Sequence, residues 1–210
     1  MKALNVDEIV KAAMARWPHV PACHGWLALD RRGRWRMRDL HAQQAGLPGE
    51  PILHAALTAF INRNYLRMDD GSWAFQNGPQ RVYVDLENTP LVLHHDPALK
   101  AWVSHHGQAI DAVRAALCDE SGHLYLDTPA GLGEVCDRDL GVVLAQLIDA
   151  SGQPAQPESP EALMNLRWRA ELPRGATVCL SIAPVQRAEL PARFGYVRTP
   201  RGTDASSLRV

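Results

Sequence analysis

The chain has 210 residues, of which 22 are basic and 23 acidic, and a formal charge of −1 at pH 7. A chain of this length can bury a core large enough to fold without disulfides or metals. The balanced charge gives no overall attraction for nucleic acid, and no run of about 18 apolar residues suits a membrane span. The cysteines form no Cys-x-x-Cys pair, which indicates free, mostly buried thiols in a reducing cytoplasm; they are Cys23, Cys118, Cys136 and Cys179.

The first half of the chain predicts two helices. The first runs from about Val6 to Arg16, with Asn5 as its N-cap. Pro51 suits the first position of the second helix, which ends near Asn64. The apolar residues of this second helix recur with a period of about 3.6 residues; they are Leu53, Ala56, Leu57, Phe60 and Ile61.

Three hairpins are predicted from alternating apolar residues. The segment Gly25–Met37 carries a turn in which Gly33 can take a positive φ. A second hairpin joins residues 66–68 to residues 72–76 through Asp69-Asp70-Gly71. The third is Arg81–His94, whose alternating first strand leads through Glu87-Asn88-Thr89 into an apolar second strand.

The second half of the chain is less regular. Residues 101–117 fit either a helix or a strand and turn, and Leu124–Leu126 predicts a short strand. A helix is predicted over about Leu132–Asp149. Beyond it we expect a linker at residues 151–160, then an extension over residues 161–210. The extension is predicted to have short strands near Thr177–Ile182 and Phe194–Val197 and a disordered end.

Several of these segments resemble, in order and spacing, a proteobacterial family known as domain of unknown function twelve-eighty-five. The segments are PACHGWLALDRRGRW, DDGSWAFQNGPQRVYVDLENTPLVL and HLYLD, and the resemblance covers about Pro21 to Ile148. Arg32 stands where the family usually has an aspartate and Asn88 where it usually has an acid, so the chain resembles this family or a sister family. The positions that match are Cys23, Gly33, Trp35, Pro79, Arg81, Val82, Val84, Glu87 and Pro90.

The resemblance implies an α+β fold, with small-ligand sensing or signal transduction, and it implies strand and turn over residues 101–117. We therefore predict antiparallel hairpins that form a curved sheet with a few packed helices. The main domain is expected over residues 1–150, divisible into subdomains of about 1–78 and 79–150.

A histidine-rich segment is the candidate metal site. Neutral imidazoles are common ligands for zinc, nickel and copper, and neighbours on a strand point to opposite faces, so one histidine of each pair could contribute. The alternative, which we favour, is that these histidines only occupy strand ends and loops. The candidate ligands are His94, His95, Asp96, His105 and His106.

Arginines alternate along the strand from Arg32 to Arg38. They predict either an anion or nucleic-acid contact or, as we favour, a solvated face paired with acids of a neighbouring strand. The expected ligand-binding residues are Arg34, Trp35, Arg36, Arg81 and Glu87.

The favoured function is a noncatalytic cytoplasmic module that binds a small ligand or a partner protein in signalling. The alternatives are a metal-dependent hydrolase that uses residues 94–106 and a nucleic-acid or anion binder that uses Arg32–Arg38. The sequence assigns no catalytic residue and no cofactor. Nucleic acid and membranes are not expected partners, and an exposed strand edge predicts a homodimer.

Overall fold

A computed structural model describes residues 7–17, 19–159 and 161–202 of the chain. These residues form two compact units. Unit 1 contains the described parts of Met1–Asp30, Arg34–Asn88 and Gly195–Val210, and unit 2 contains Arg31–Gly33 and the described parts of Thr89–Phe194. Every helix in the described residues is too short or too polar to span a bilayer.

Unit 1 is built on a six-stranded sheet with three helices. Its sheet has the strand order β3-β2-β1-β6-β5-β4, in which β1 and β6 are parallel and all other neighbours are antiparallel. The elements are α1 (Glu8–Arg16), β1 (Cys23–Leu29), β2 (Trp35–Met37), α2 (Leu40–Gln44), β3 (Glu50–Pro51), α3 (Ala55–Arg63), β4 (Tyr65–Arg67), β5 (Trp73–Asn77) and β6 (Gln80–Leu86).

The apolar face of this sheet carries an aromatic core. Trp35 meets Tyr65 edge to face with ring centroids 5.0 Å apart, and Tyr65 meets Trp73 at 4.9 Å. The indole N–H of Trp35 donates to Asn62 Oδ1 of α3 at 2.7 Å, which ties the helix to the sheet. The opposite face is polar, because alternate residues of a strand point to opposite sides.

Unit 2 is built on an eight-stranded sheet with the order β12-β13-β14-β9-β10-β11-β7-β8. The pairs β7·β11 and β9·β14 are parallel, and the others are antiparallel. Its elements are β7 (Leu91–Asp96), β8 (Ala101–Ser104), β9 (Ala115–Asp119), β10 (Leu124–Thr128), β11 (Gly131–Val135), α4 (Leu140–Ala145), β12 (Leu147–Ile148), β13 (Arg167–Glu171), β14 (Thr177–Val185) and α5 (Leu190–Phe194).

One five-residue turn recurs in both units. The first residue's N–H donates to the carbonyl of the fifth, at 2.8–3.0 Å, and the fourth residue is a glycine with φ between 76° and 87°. Positive φ is costly for other residues, so each turn needs its glycine. The turns are Asp30–Arg34, Met68–Ser72, Ser104–Gln108, Asp119–His123 and Asp149–Gln153.

The predicted α+β class is confirmed, although parallel pairs make both sheets mixed rather than wholly antiparallel. The hairpins β1–β2 and β4–β5 are confirmed, and so is the end of α3 at Asn64. Strand and turn over residues 101–117 are also confirmed. Asn5 and Val6, expected to begin the first helix, lie outside the described residues, as do residues 203–210.

The predicted Arg81–His94 hairpin is wrong. Strand β6 pairs with β1 and β5 in one sheet, whereas β7 pairs with β11 and β8 in the other. The alternating pattern identified both strands, but it carries no information about their partners. Leu27 and Leu29 align with Val84 and Leu86, so the parallel pairing matches apolar residues on one face.

The long helix predicted over Leu132–Asp149 is also wrong, because only Leu140–Ala145 is α-helical. Gly133 lies in β11, where a Cβ would come within 2.6 Å of Leu93 Cγ. The missing side chain therefore leaves space for the Leu93 side chain of β7, which a helical interpretation of the apolar residues cannot anticipate.

Two smaller predictions fail at chain reversals. Pro51 lies in β3 rather than in a helix, and α3 starts after His54, whose Nδ1 accepts from Leu57 N–H at 3.2 Å. The tail was predicted to have a strand over residues 194–197, but α5 occupies Leu190–Phe194. The expected extension contributes β13 and β14 to the eight-stranded sheet.

All four cysteines are free, and only Cys118 and Cys136 are buried.

Candidate functional site

A cavity of about 480 Å³ opens on the polar face of the unit 1 sheet. Its floor is explained by strand register: Ala28 of β1 lies between Arg36 of β2 and Asp85 of β6. The small alanine leaves space between two charged neighbours. The charged groups in the wall are Asp30, Arg36, Arg38, Asp85, Glu87 and Arg201.

Two wall arginines are held in place by carboxylates and carbonyls. Arg36 donates to Asp30 Oδ2 at 3.0 Å and to the Gly49 carbonyl at 2.9 Å. Arg38 pairs with Asp85 Oδ2 and donates to the Leu47 carbonyl at 3.0 Å. These guanidinium groups are therefore preorganised, because their positions are fixed before any ligand arrives.

Asp85 is the unusual member of the wall. Its side chain is 10% exposed, and no described residue offers a hydrogen bond to its buried Oδ1. Burial raises the pKa of Asp85, and the positive charges of Arg38 and Arg201 only partly oppose this shift. A buried acceptor without a partner costs about 1–3 kcal/mol, so Oδ1 is suited to receive a donor from a ligand.

Residues 197–201 of unit 1 close one side of the cavity. Leu86 N–H donates to the Arg198 carbonyl at 2.7 Å, and Val197 N–H donates to the Gly71 carbonyl at 3.0 Å. These bonds hold the following residues beside β6, where Thr199 and Arg201 line the cavity.

Only two of the five predicted ligand-binding residues lie in the wall of this cavity. Arg36 and Glu87 line the cavity. Arg34 shares the carboxylate of Asp30 at 2.8 Å, Trp35 lies in the opposite, apolar core, and Arg81 lies on β6 away from this cavity.

Sequence reasoning missed the role of Asp85 and Arg201. Asp85 stood at a polar position of an alternating strand, which signals a solvated face but not a cavity. Arg201 is distant in sequence and carries no local pattern.

The five predicted metal ligands, all in unit 2, do not meet at one site. His95 Nε2 lies 2.9 Å from Glu171 Oε2, and Asp96 accepts two backbone N–H groups of its own turn. His105 and His106 lie side by side with ring centroids 5.0 Å apart; both residues are half-buried, and both ring nitrogens of His106 are buried. His94 alone joins other metal-binding side chain types, described below.

The arginine strand is largely neutralised by acids. Arg34 and Arg36 pair with Asp30, Arg38 with Asp85, and Arg32 with Asp137. Paired guanidinium groups offer less charge to phosphates. The arginines are thus paired with acids, and the nucleic-acid alternative stays a prediction.

Acid is expected to destabilise unit 2 through His106. Burial lowers the pKa of His106 from its ordinary value of 6.5 to about 4, and burial also lowers that of His105 well below 6.5. Between about pH 6.5 and about pH 4, His106 binds a proton in the unfolded chain but not in the folded chain. The free energy of unfolding therefore falls as pH falls through this range. His106 alone should remove about 3 kcal/mol from the free energy of unfolding between about pH 6.5 and about pH 4.

Urea denaturation across this pH range measures the effect. His106→Gln should flatten the decline relative to the wild type, whereas replacing the exposed His41 with glutamine should leave it unchanged. Equal slopes for the wild type and His106→Gln would contradict the assignment.

The fold and the cavity define an α+β protein with two open mixed sheets and a charged cavity on one of them. Residues 6–201 match the family model DUF2944, described as "Protein of unknown function (DUF2946)", and the chain belongs to this family. No curated protein matches the chain.

Two solved structures are similar to this chain. A DUF1285 family protein from Silicibacter pomeroyi is 13% identical, with a TM-score of 0.46, over 84% of this chain and 96% of that one. A DUF1285 family protein from Shewanella baltica is 13% identical, with a TM-score of 0.35, over 56% of this chain and 88% of that one. The predicted resemblance to family twelve-eighty-five or a sister family is confirmed.

Proposed function

We propose that this protein is a noncatalytic module that binds a small molecule in the unit 1 cavity. The observation that carries the proposal is the cavity of about 480 Å³, whose wall holds fixed arginines and a buried carboxylate oxygen to which no described residue donates. Sites for small molecules commonly have volumes of about 300–1,000 Å³ and a few fixed polar groups.

The charges indicate the chemistry of the ligand. Arg36 and Arg38 are already paired with carboxylates, while Arg201 is exposed at the rim. A carboxylate or phosphate suits Arg201, and an N–H or O–H donor suits Asp85 Oδ1. The ligand class is therefore an acid of about amino-acid size that carries a donor group beside its anionic group.

Regulation follows from the way in which the wall is assembled. It combines β1, β2 and β6 with the segment that contains Thr199 and Arg201. A ligand bound to both parts would restrain this segment against the sheet, and a partner protein could recognise the restrained form. This is our proposal for a sensing or signalling role. The homodimer and the cytoplasmic location stay predictions.

Thermal unfolding of the full chain with amino acids, small hydroxy acids and phosphate monoesters tests the proposal. At a concentration of about 100 times its Kd, a true ligand stabilises the folded chain by about 2.7 kcal/mol. Asp85→Leu and Arg201→Met should abolish that stabilisation, because each removes one polar contact of the proposed ligand.

Arg63→Met is the matched control, since Arg63 lies in the same unit on α3 and pairs with Asp7 at 3.5 Å. It should retain the ligand-dependent stabilisation. A wild type that responds to no member of the three classes, or an Asp85→Leu variant that responds like the wild type, would refute this site.

A further inference from the structure

Three side chains with metal-binding atoms meet at the carboxyl ends of two parallel strands in unit 2. Leu93 of β7 aligns with Val135 of β11, and Cys136 N–H donates to the Leu93 carbonyl at 2.9 Å. The next residues in register are His94 and Cys136. Register neighbours point to the same face of a sheet, so strand pairing brings the imidazole beside the thiol.

A short turn brings the third group to the same place. Residues Asp137–Asp139 form a 3-10 helix, and Asp139 N–H donates to the Cys136 carbonyl at 3.0 Å. Asp139 Oδ2 then lies 3.2 Å from His94 Nδ1. One nitrogen, one sulfur and one oxygen atom of the three residues all lie within 4.8 Å of one another.

The surroundings position these groups while leaving one side accessible. Cys136 is fully buried, whereas the side chains of His94 and Asp139 are 31% and 20% exposed. A Cβ on Gly33 would lie 3.2 Å from His94 Nε2, so the glycine makes room for the ring. Asp137 next to the thiol is engaged by Arg32 Nη2 at 2.6 Å.

We infer that His94, Cys136 and Asp139 bind one divalent transition-metal ion of the zinc class. The mixed nitrogen, sulfur and oxygen set suits Zn²⁺ and its spectroscopic substitute Co²⁺ better than Mg²⁺ or Ca²⁺, which take oxygen ligands. Three protein ligands leave the fourth tetrahedral position to water. The set differs from the one predicted from the sequence and shares only His94 with it.

The distances require only small movements. Bonds of about 2.0–2.3 Å around a tetrahedral zinc ion place the ligand atoms about 3.3–3.6 Å apart. The nitrogen and oxygen already lie 3.2 Å apart, and the other separations are at most 4.8 Å. Side-chain rotations that shorten the longest separation by about 1 Å therefore suffice.

Titration of the chelator-treated full chain with Co²⁺ tests the site. We expect one ion per chain, a thiolate-to-cobalt charge-transfer absorption in the near ultraviolet, and loss of this absorption when Zn²⁺ is added. Cys136→Ser should abolish the charge-transfer absorption. His94→Ala and Asp139→Asn should weaken Co²⁺ binding by at least about 100-fold, because even outer-shell groups of metal sites account for 10- to 100-fold.

Two substitutions are matched controls. His95→Ala changes the neighbouring histidine, which contacts Glu171 instead, and Cys118→Ser changes another buried thiol of the same unit. Both should leave the Co²⁺ spectrum and affinity unchanged. Circular dichroism of each variant shows whether it is folded. If Cys136→Ser unfolds, Asp139→Asn still tests the site, because it keeps the shape of a partly exposed side chain and removes only its charge.

Several results would overturn the site. These are no spectrum in the wild type, a charge-transfer absorption that survives Cys136→Ser, or one that disappears instead in a variant of the exposed Cys179. In those cases His94 and Asp139 form only a hydrogen-bonded pair beside a structural thiol. Because the cavity lies in unit 1, its variants Asp85→Leu and Arg201→Met should not alter Co²⁺ binding, so the two proposals can fail separately.

Discussion

Asp119→Ala is expected to lower the free energy of unfolding by about 3–5 kcal/mol, since it leaves a charged partner without its buried counterpart. The Asp119 side chain is fully buried and accepts from Tyr125 Oη at 2.7 Å and Arg187 Nε at 2.9 Å. It also accepts from the backbone N–H groups of Ser121 and His123, both at 2.9 Å. One substitution therefore removes the acceptor shared by four donors.

The same carboxylate predicts the direction of the pH dependence. Burial alone would raise the pKa of Asp119, but the hydrogen bonds from Tyr125, His123 and Arg187 outweigh it and hold this pKa well below its usual range. Its stabilisation is fully present above the unfolded value of about 3.9 and is lost as pH falls through the lower folded value. Asp119→Asn should lose this dependence because its amide does not titrate.

Asp149 offers a matched control. It starts a second turn of the same type, in which its carboxylate accepts from Ser151 N–H at 2.8 Å and Gln153 N–H at 3.0 Å, but the carboxylate lies at the surface. Urea denaturation should therefore show a much smaller loss for Asp149→Ala. Similar losses at the two positions would mean that the turn itself, rather than the buried charge network, determines the effect.

Trp35→Ala should cost about 3–5 kcal/mol of folding free energy, the usual range for deleting a buried tryptophan. Trp35 is 1% exposed and packs against Tyr65, and its loss also leaves Asn62 without the indole donor. Urea denaturation followed by circular dichroism measures the change.

Trp26 provides the comparison for Trp35, because it lies on the same hairpin but is 41% exposed. Trp26→Ala should change stability by less than about 1 kcal/mol. Trp35→Phe should keep the ligand response of the cavity, because Trp35 lies on the apolar face of the sheet. A larger loss at Trp26 than at Trp35 would contradict this assignment of faces.

Local patterns predicted elements well and partners poorly. The alternation of Val82, Val84 and Leu86 correctly indicated a strand with one apolar face. One of the two partners of that strand is β1, more than 50 residues earlier, and pairing across such a distance leaves no mark on either segment. Gly133 makes room for the Leu93 side chain on the neighbouring strand, yet beside leucine and valine it fitted a helical pattern equally well.

The candidate sites depend on the same long-range pairings. Arg36 and Glu87 could be selected from the sequence as polar residues beside predicted strands. Arg36 lies near Asp85, however, only because β1 pairs with both β2 and β6. Arg201 reaches the cavity because the Leu86–Arg198 hydrogen bond holds its segment beside β6. His94 could be chosen because histidine binds metals. Cys136 and Asp139 could not be chosen with it, because the incorrect helix placed both in a different kind of element.

The two kinds of strand pairing have consequences for how the chain folds. Hairpins closed by the glycine turns, such as β9–β10, join residues close in sequence, and such hairpins form in about 1–10 μs. The parallel pairs β1·β6, β7·β11 and β9·β14 must close much longer loops, which slows folding. We therefore expect both the cavity and the inferred metal site to form late in folding, so that a chain with only its hairpins in place would have neither.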